Sequence, residues 1–414
     1  MKHNFIGFQC SLCSEEYQPE EVTYVCPNDG GNLNIAYDFE AMKQEISVET
    51  LLNNGEDSLW RYLPLLPVKK IPGAGTPIHS VGWTPIYSPS KLREDLGLPD
   101  LWVKDDSRNP TASFKDRASA VVVARAKEID AEVVVTASTG NAGAALAGMA
   151  AAADHKAVIF APRSAPPAKI AQLLIYQAQV LLVDGNYDQA FDLSIQAADE
   201  FGWYCRNTGY NPFTVEGKKT AALEIWEQLI HPGSLKKPLH VFVSVGDGNI
   251  ISGVHKGFKD LLEMGWLEQM PRIFGVQSEG SAAVANAFQA GDEVIHPVSA
   301  TTRADSISVD LPRDGVRAVR AARQTGGAYV TVTDDEIMAA IPELGQVGIF
   351  AEPAGAAAYA GLKRAISEGT ITSEDPALVL NTGSGLKDVK AAIASVPPAL
   401  IIEPTLSAVE KALK

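Results

Sequence analysis

The chain has 414 residues, 46% of them hydrophobic and 21% charged, the balance of an ordinary globular protein with material for two or three domains. Its 35 lysines and arginines against 50 aspartates and glutamates leave a net charge of −15, which argues against nucleic acid or an anionic membrane surface as a partner. An anionic small ligand has to be met by a local pocket of donors, because the field of the whole chain repels it.

The N-terminus, MKHNFIGFQCSLC, lacks a basic stretch followed by an apolar one, so no export signal is read. Four cysteines are too few for a disulfide framework, and the expected location is the reducing cytoplasm. Three of them lie in residues 1–38, which are expected to form a small zinc-ribbon-like knuckle. Cys10-x2-Cys13 is followed, after twelve residues, by Cys26-x2-Asp29. Two such pairs have the spacing of a zinc site, with a carboxylate in the fourth position. A ribbon that has lost its metal has the same spacing, so structural zinc stays open here.

Residues 60–90 are rich in proline and glycine and read as an extended linker with short strands. Strand and helix patterns then alternate. Strands are expected at 100–106, 132–138, 156–162, 179–185, 240–246, 272–278 and 377–383. Helices are expected at 114–129, 142–153, 167–178, 187–201, 351–365 and 386–395. The apolar stretch AGAALAGMAAAA at 142–153 is too short to span a bilayer. Apolar, β-branched strands separated by helices imply parallel sheets covered on both faces. The expected architecture is α/β, two doubly wound open sheets with a cleft between them.

Three loops follow strands, where open α/β sheets place their ligands. ASTGNAG (137–143) offers hydroxyls, an amide and free backbone N–H groups at a helix start. Capping alone also explains such residues. SVGDGNIISG (244–253) brings two glycines to another helix start, without the spacing of a dinucleotide or P-loop motif. LNTGSGLKD (380–388) repeats the plan. Finally, NPTASFKDRAS (109–119) places Lys115 at the start of a helix, among small residues. A helix N-terminus and burial both disfavour an ammonium there, which is what a lysine needs to react with a carbonyl. The seven histidines form no HxxxH or HxH pair, so a metallohydrolase is not supported.

Together, NPTASFKDR, ASTGN, NPFTVEGKKT (211–220), FAEPAGAAAYAGL (350–362) and TGSGLKD (382–388) resemble the threonine synthase family of fold-type II pyridoxal phosphate enzymes. The resemblance runs from about residue 75 to 395. It implies a tryptophan synthase β-subunit-like fold, with a large cofactor-binding domain at 39–119 and 211–414 and a small α/β domain at 120–210. It implies that Lys115 forms a Schiff base with pyridoxal 5'-phosphate and shuttles protons, and that Phe114 packs beside the ring. Asn141 would bond the ring hydroxyl and Thr382 meet the ring nitrogen. Gly246, Asp247, Gly248, Asn249 and Ile250 would hold the phosphate, and Ser138, Thr139 and Gly140 the substrate carboxylate. Asp247 is awkward beside a phosphate, and would point away or pair with a lysine such as Lys256.

The family reaction converts O-phospho-L-homoserine and water to L-threonine and phosphate, in a homodimer. The family's pattern has arginines at the positions of Thr214 and Ser308. Their absence leaves the substrate's leaving group open, with Lys104, Arg117, Lys218 and Arg303 as replacements to consider. The alternative is a paralogue performing β-elimination or β-replacement on phosphoserine, serine, threonine or diaminopropionate, as cysteate synthase or an ammonia-lyase would. A non-catalytic protein on the same fold is disfavoured by the retention of Lys115 and all the loops.

Overall fold

The computed structural model describes residues 4–233 and 235–413. The chain starts with a three-stranded antiparallel sheet, β1 (Phe5–Cys10), β2 (Glu16–Tyr17) and β3 (Leu33–Tyr37), in the order β2-β1-β3. The segment expected to be an extended linker instead contains two 3-10 helices, Leu59–Leu65 and Pro77–Ser80. Ser58 caps the first of these, and Leu59, Trp60, Tyr62 and Leu65 are buried, so burial of aromatic and leucine side chains overrides the proline signal there.

Two strands follow, β4 (Ile86–Tyr87) and β5 (Leu101–Asp105). The chain then leaves to build a second sheet from β6 (Val133–Ala137), β7 (Lys156–Pro162), β8 (Gln179–Val183) and β9 (Tyr204–Cys205). It returns with β10 (His240–Ser244), β11 (Arg272–Ser278), β12 (Tyr329–Val332) and β13 (Ala377–Asn381). The larger sheet has the order β12-β11-β10-β13-β5-β4, parallel except for the antiparallel edge strand β4. The smaller one, β8-β7-β6-β9, is wholly parallel.

The apolar runs are explained by this topology. Every residue of β6, β10 and β13 is buried, as expected for central parallel strands with helices on both faces. Between β9 and β10 in the chain comes helix Phe213–Ile225, all of whose residues are buried. It packs on helices Lys115–Glu128 and Asn249–Glu263. Gly217 makes the first approach possible, since a Cβ there would sit 2.1 Å from the carbonyl oxygen of Arg117. Among the described residues no helix is long and apolar enough to cross a membrane.

Candidate active site

The C-terminal ends of β5, β6, β10 and β13 aim their loops at a single cavity of about 780 Å3. It is lined by Lys115, Ser138, Thr139, Gly140, Asn141 and Thr382, and by the whole run Gly246–Ile250. Segments from Lys115 to Thr382 thus converge, as the switch from strand to helix at each loop requires of an open α/β sheet.

Lys115 is the first residue of helix Lys115–Glu128, preceded by Phe114. Ser113 is bridged to Gly383, and the Phe114 N–H donates to the Thr382 carbonyl at 2.9 Å, so the lysine loop is tied to the loop after β13. Burial pushes Lys115 down to about 8, against the pull of Glu352 and with the help of the Arg206 guanidinium. Glu352 moves the other way, up to about 7, because burial disfavours its charge more than Lys115 and the amide of Asn141 favour it. The Asn141 amide donates to Glu352 at 2.8 Å. Burial thus works against the charge of both groups, while each favours the charge of the other.

The glycine loop forms an anion cradle. Gly248 has φ +90°, and a Cβ there would lie 2.6 Å from the Asp314 carbonyl oxygen. This left-handed residue opens helix Asn249–Glu263, whose N–H groups and dipole face the cavity. Asn249 is pinned by donating to Asp314 at 2.7 Å and by accepting from Lys218. Lys218 lines the cavity and is held well below an ordinary lysine by burial and by the positive charges of Lys115 and Arg206. A dianion at the loop would relieve that repulsion.

Asp247 does not pair with Lys256. Its carboxylate accepts from the Arg313 backbone N–H at 2.7 Å, and burial pushes it up to about 6. Lys256 instead pairs with Asp260 at 3.1 Å and Glu216 at 3.5 Å. Phe114 is fully buried and is not a cavity-lining residue; the Arg117 guanidinium sits over its ring, 5.4 Å from the centroid.

Of the four cations considered as replacements for the missing arginines, Lys218 alone reaches the cavity. Lys104 and Arg117 are bound into a buried ion network with Glu224 and Asp106. Arg303 is exposed and faces Asp335 at 3.6 Å. Ser308 lies in the cavity wall, whereas Thr214 caps inward, donating to the Asn211 carbonyl at 2.7 Å. Cys10, Cys13, Cys26 and Asp29 cluster apart from this cavity.

Several cavity groups were not legible beforehand. Glu352 lay within a quoted motif and an expected helix, Ser244 opened a quoted loop without being singled out, and Arg313, like Arg206 near the cavity, carried no pattern. The Ser244 hydroxyl and Arg206 Nη2 are buried with no hydrogen-bond partner, and Ser244 lines the cavity. Buried polar atoms left unpaired are costly unless a ligand completes them. A buried lysine of lowered pKa, an anion cradle and the orphaned Ser244 hydroxyl in one cleft fit pyridoxal phosphate, with its aldehyde, ring and phosphate.

Such a cleft between two parallel sheets defines a cofactor-dependent enzyme with a carbonyl-bearing cofactor. The chain belongs to the pyridoxal-phosphate dependent enzyme family, whose model matches residues 78–383. Along its whole length it is similar to threonine synthases: 38% identical to that of Methanocaldococcus jannaschii over 98% of this chain and 99% of the relative. It is 35% identical to that of Methanosarcina acetivorans, over 98% of each. In fold it matches the processed threonine deaminase isoform 2 of Solanum lycopersicum, with a TM-score of 0.66, 24% identity and coverage of 80% and 92%. The diaminopropionate ammonia lyase of Escherichia coli matches with a TM-score of 0.63 and 21% identity, over 76% and 87%.

Proposed function

We propose that this protein is a threonine synthase, converting O-phospho-L-homoserine and water to L-threonine and phosphate. The observation that carries the reading is the position of Lys115. It is a lysine with a depressed pKa, opening into the one cleft that also holds an anion cradle, in a chain similar to threonine synthases from end to end.

When bound, pyridoxal phosphate supplies an electron-withdrawing ring that stabilises negative charge on the substrate carbon beside the amine. Lys115 Nζ, buried in the cleft, would be its covalent anchor. The N–H groups from Gly246 to Ile250, with Lys218, receive its phosphate. Thr382 offers a neutral hydroxyl to the ring nitrogen, and Asn141, steadied by Glu352, an amide to the ring hydroxyl. Phe114, the residue before Lys115, ties the lysine to the loop after β13 through its N–H bond to the Thr382 carbonyl. Ser138, Thr139 and Gly140, at the start of helix Asn141–Ala152, take the substrate carboxylate on N–H groups and hydroxyls. Lys115 Nζ, near neutral in its proton affinity, removes and returns protons at the substrate's α and β carbons.

The substrate's own phosphate needs a second cation. Arg313 lines the cavity and, among the described residues, its guanidinium sits over the Phe191 ring, 5.1 Å from the centroid, instead of against a carboxylate. It and Ser308 are the proposed replacements for the family's arginines. The domain limits, 39–119 with 211–414 and 120–210, are proposed on the sheets each span contains. The four cysteines are free, in keeping with the cytoplasm, and a homodimer is the expected assembly.

The test is turnover of O-phospho-L-homoserine by protein loaded with pyridoxal phosphate. Threonine and inorganic phosphate should appear in equal amounts, and neither with Lys115→Ala. Production of a 2-oxo acid from serine, threonine or diaminopropionate, with no threonine from the phosphorylated substrate, would replace this reading with the ammonia-lyase one.

A further inference from the structure

The N-terminal cluster stands apart from the catalytic cleft. Its four ligand atoms, from Cys10, Cys13, Cys26 and Asp29, all lie within 4.8 Å of one another. The Cys13 and Cys26 sulfurs are 3.7 Å apart, far beyond the roughly 2.05 Å of a disulfide. The Cys10 sulfur lies 3.3 Å from Asp29 Oδ1. A tetrahedral zinc with bonds of about 2.3 Å to sulfur and about 2.0 Å to oxygen has edges near 3.8 Å between sulfurs and 3.5 Å between sulfur and oxygen. Two edges are therefore already at tetrahedral length. Closing the widest gap by about 1 Å completes the shell.

The backbone makes the same point independently. In the turn from Cys10, the Cys10 N–H donates to Glu15 O at 2.8 Å and the Ser14 N–H to Cys10 O at 3.2 Å. In the turn from Cys26, the Cys26 N–H donates to Gly31 O at 2.9 Å and the Gly30 N–H to Cys26 O at 2.9 Å. Each turn ends on a left-handed residue, Ser14 at φ 63° and Gly30 at φ 70°. The two turns are copies of one another, and Asp29 stands in the second where Cys13 stands in the first. N–H groups point at ligand atoms in both: Leu12 to Cys10 Sγ at 3.3 Å, and Gly31 to Asp29 Oδ1 at 2.8 Å. The Tyr17 hydroxyl lies 3.1 Å from Cys26 Sγ, a second hydrogen-bonding partner for that sulfur.

We propose that Cys10, Cys13, Cys26 and Asp29 bind one zinc ion in a closed tetrahedral site. With four protein ligands and no open position, the site is structural rather than catalytic. It holds a ribbon that touches both flanks of the molecule. The Ser11 carbonyl, inside the first turn, accepts from Arg320, and Arg317 donates to Leu33 O at 3.1 Å and Asn34 at 3.0 Å. On the other flank, the Cys205 N–H donates to Tyr24 at 2.8 Å and Asn32 to Gly209 O at 2.6 Å. Arg317 also binds Asp314, which anchors Asn249 of the anion cradle. The ribbon thus braces that cradle from behind.

The test uses the full-length protein, purified under reducing conditions without chelator. Elemental analysis should find one zinc per chain. Exchange for Co2+ should give the thiolate charge-transfer and strong ligand-field bands of a tetrahedral site. Cys13→Ser, at an exposed thiol, should lose the metal, Asp29→Cys should keep it with a stronger charge-transfer band, and Tyr17→Phe should bind it roughly tenfold more weakly. Protein that carries no zinc and gives no cobalt bands when titrated overturns the proposal. So does Cys13→Ser that is folded by circular dichroism and retains zinc at full stoichiometry. Because the cobalt spectrum is read on the unaltered chain, a variant that fails to fold does not decide the matter.

Discussion

Two regions meet at the segment SFKDR, and they treat buried charge in opposite ways. Toward the cleft, charges are left short of partners. Lys115 is pushed down to about 8 and Arg206 to about 10, both by burial, and the Ser244 hydroxyl has no partner. Two residues on, every charge is satisfied. Arg117 spreads its guanidinium across Asp106, Glu224, Thr84 and Thr220, and Lys104 adds a bond of 2.7 Å to Glu224. Glu224 is held at about 2 by those cations despite its burial. The paired region is finished without a ligand, whereas the cleft is an arrangement whose missing partners belong to the ligand.

That contrast is broken most directly by removing one residue from each side. Lys115→Ala should lower turnover roughly 10^4-fold or more, because the proposed covalent anchor and proton shuttle are both lost. Its urea unfolding midpoint should stay near that of the unaltered cofactor-free protein, since the ammonium it removes was poorly compensated. Arg117→Ala should do the reverse. It leaves Asp106 and Glu224 buried with too little positive charge, which costs about 3–5 kcal/mol, and the unfolding midpoint should drop accordingly. Equal losses of stability in the two variants would erase the distinction.

The same contrast explains what could be read in the sequence. Parallel strands announce themselves because both faces are buried, so 156–162 and 272–278 fall where their apolar runs end. Helix Phe213–Ile225 left no such trace. Its buried Glu216, Lys218, Lys219 and Glu224 hide the apolar period; Glu216 and Lys219 pair with each other, and Lys219 and Glu224 also pair with Asp260 and Lys104, which are distant in the chain. The strand-to-helix loops were legible because anion cradles need glycine and small hydroxyl residues at fixed places. Glu352 and Arg206 were not, because an isolated charge acquires its meaning only from the burial and neighbours that folding supplies.

A finer test concerns the lysine itself. Only the neutral amine attacks an aldehyde, so covalent capture of pyridoxal phosphate by cofactor-free protein should accelerate about tenfold per pH unit below pH 8. It should level off near pH 8, where Lys115 is half neutral, instead of near the 10.5 of an ordinary lysine. In the window between those values the unfolded chain binds a proton that the folded chain does not. Stability of the cofactor-free protein should therefore gain from this residue as pH rises from about 8 to 10.5. Stopped-flow absorbance and urea midpoints across that range check both signs. A capture rate still climbing at pH 10 would place Lys115 among well-solvated or well-paired lysines, on the wrong side of the comparison.

The smallest effects lie at the surface, where two exposed arginines ten residues apart should behave differently. Arg303 faces Asp335 at 3.6 Å with both side chains more than half exposed, a geometry in which solvent screens the pair. Arg303→Ala should leave kcat, KM and the unfolding midpoint unchanged. Arg313 is also exposed, but it lines the cleft and its backbone N–H holds Asp247 beside the anion cradle. Its guanidinium sits over the Phe191 ring, 5.1 Å from the centroid, and its N–H groups are proposed to receive the phosphate of the substrate. Arg313→Ala should raise KM for O-phospho-L-homoserine about tenfold with kcat little changed, the mark of binding lost equally from ground and transition states. Added salt should narrow the gap between the two variants, because a charge at the mouth of the cleft is screened as Lys218 inside it is not. An Arg313 variant with unaltered KM would move the substrate's phosphate deeper, toward Ser308 and Lys218.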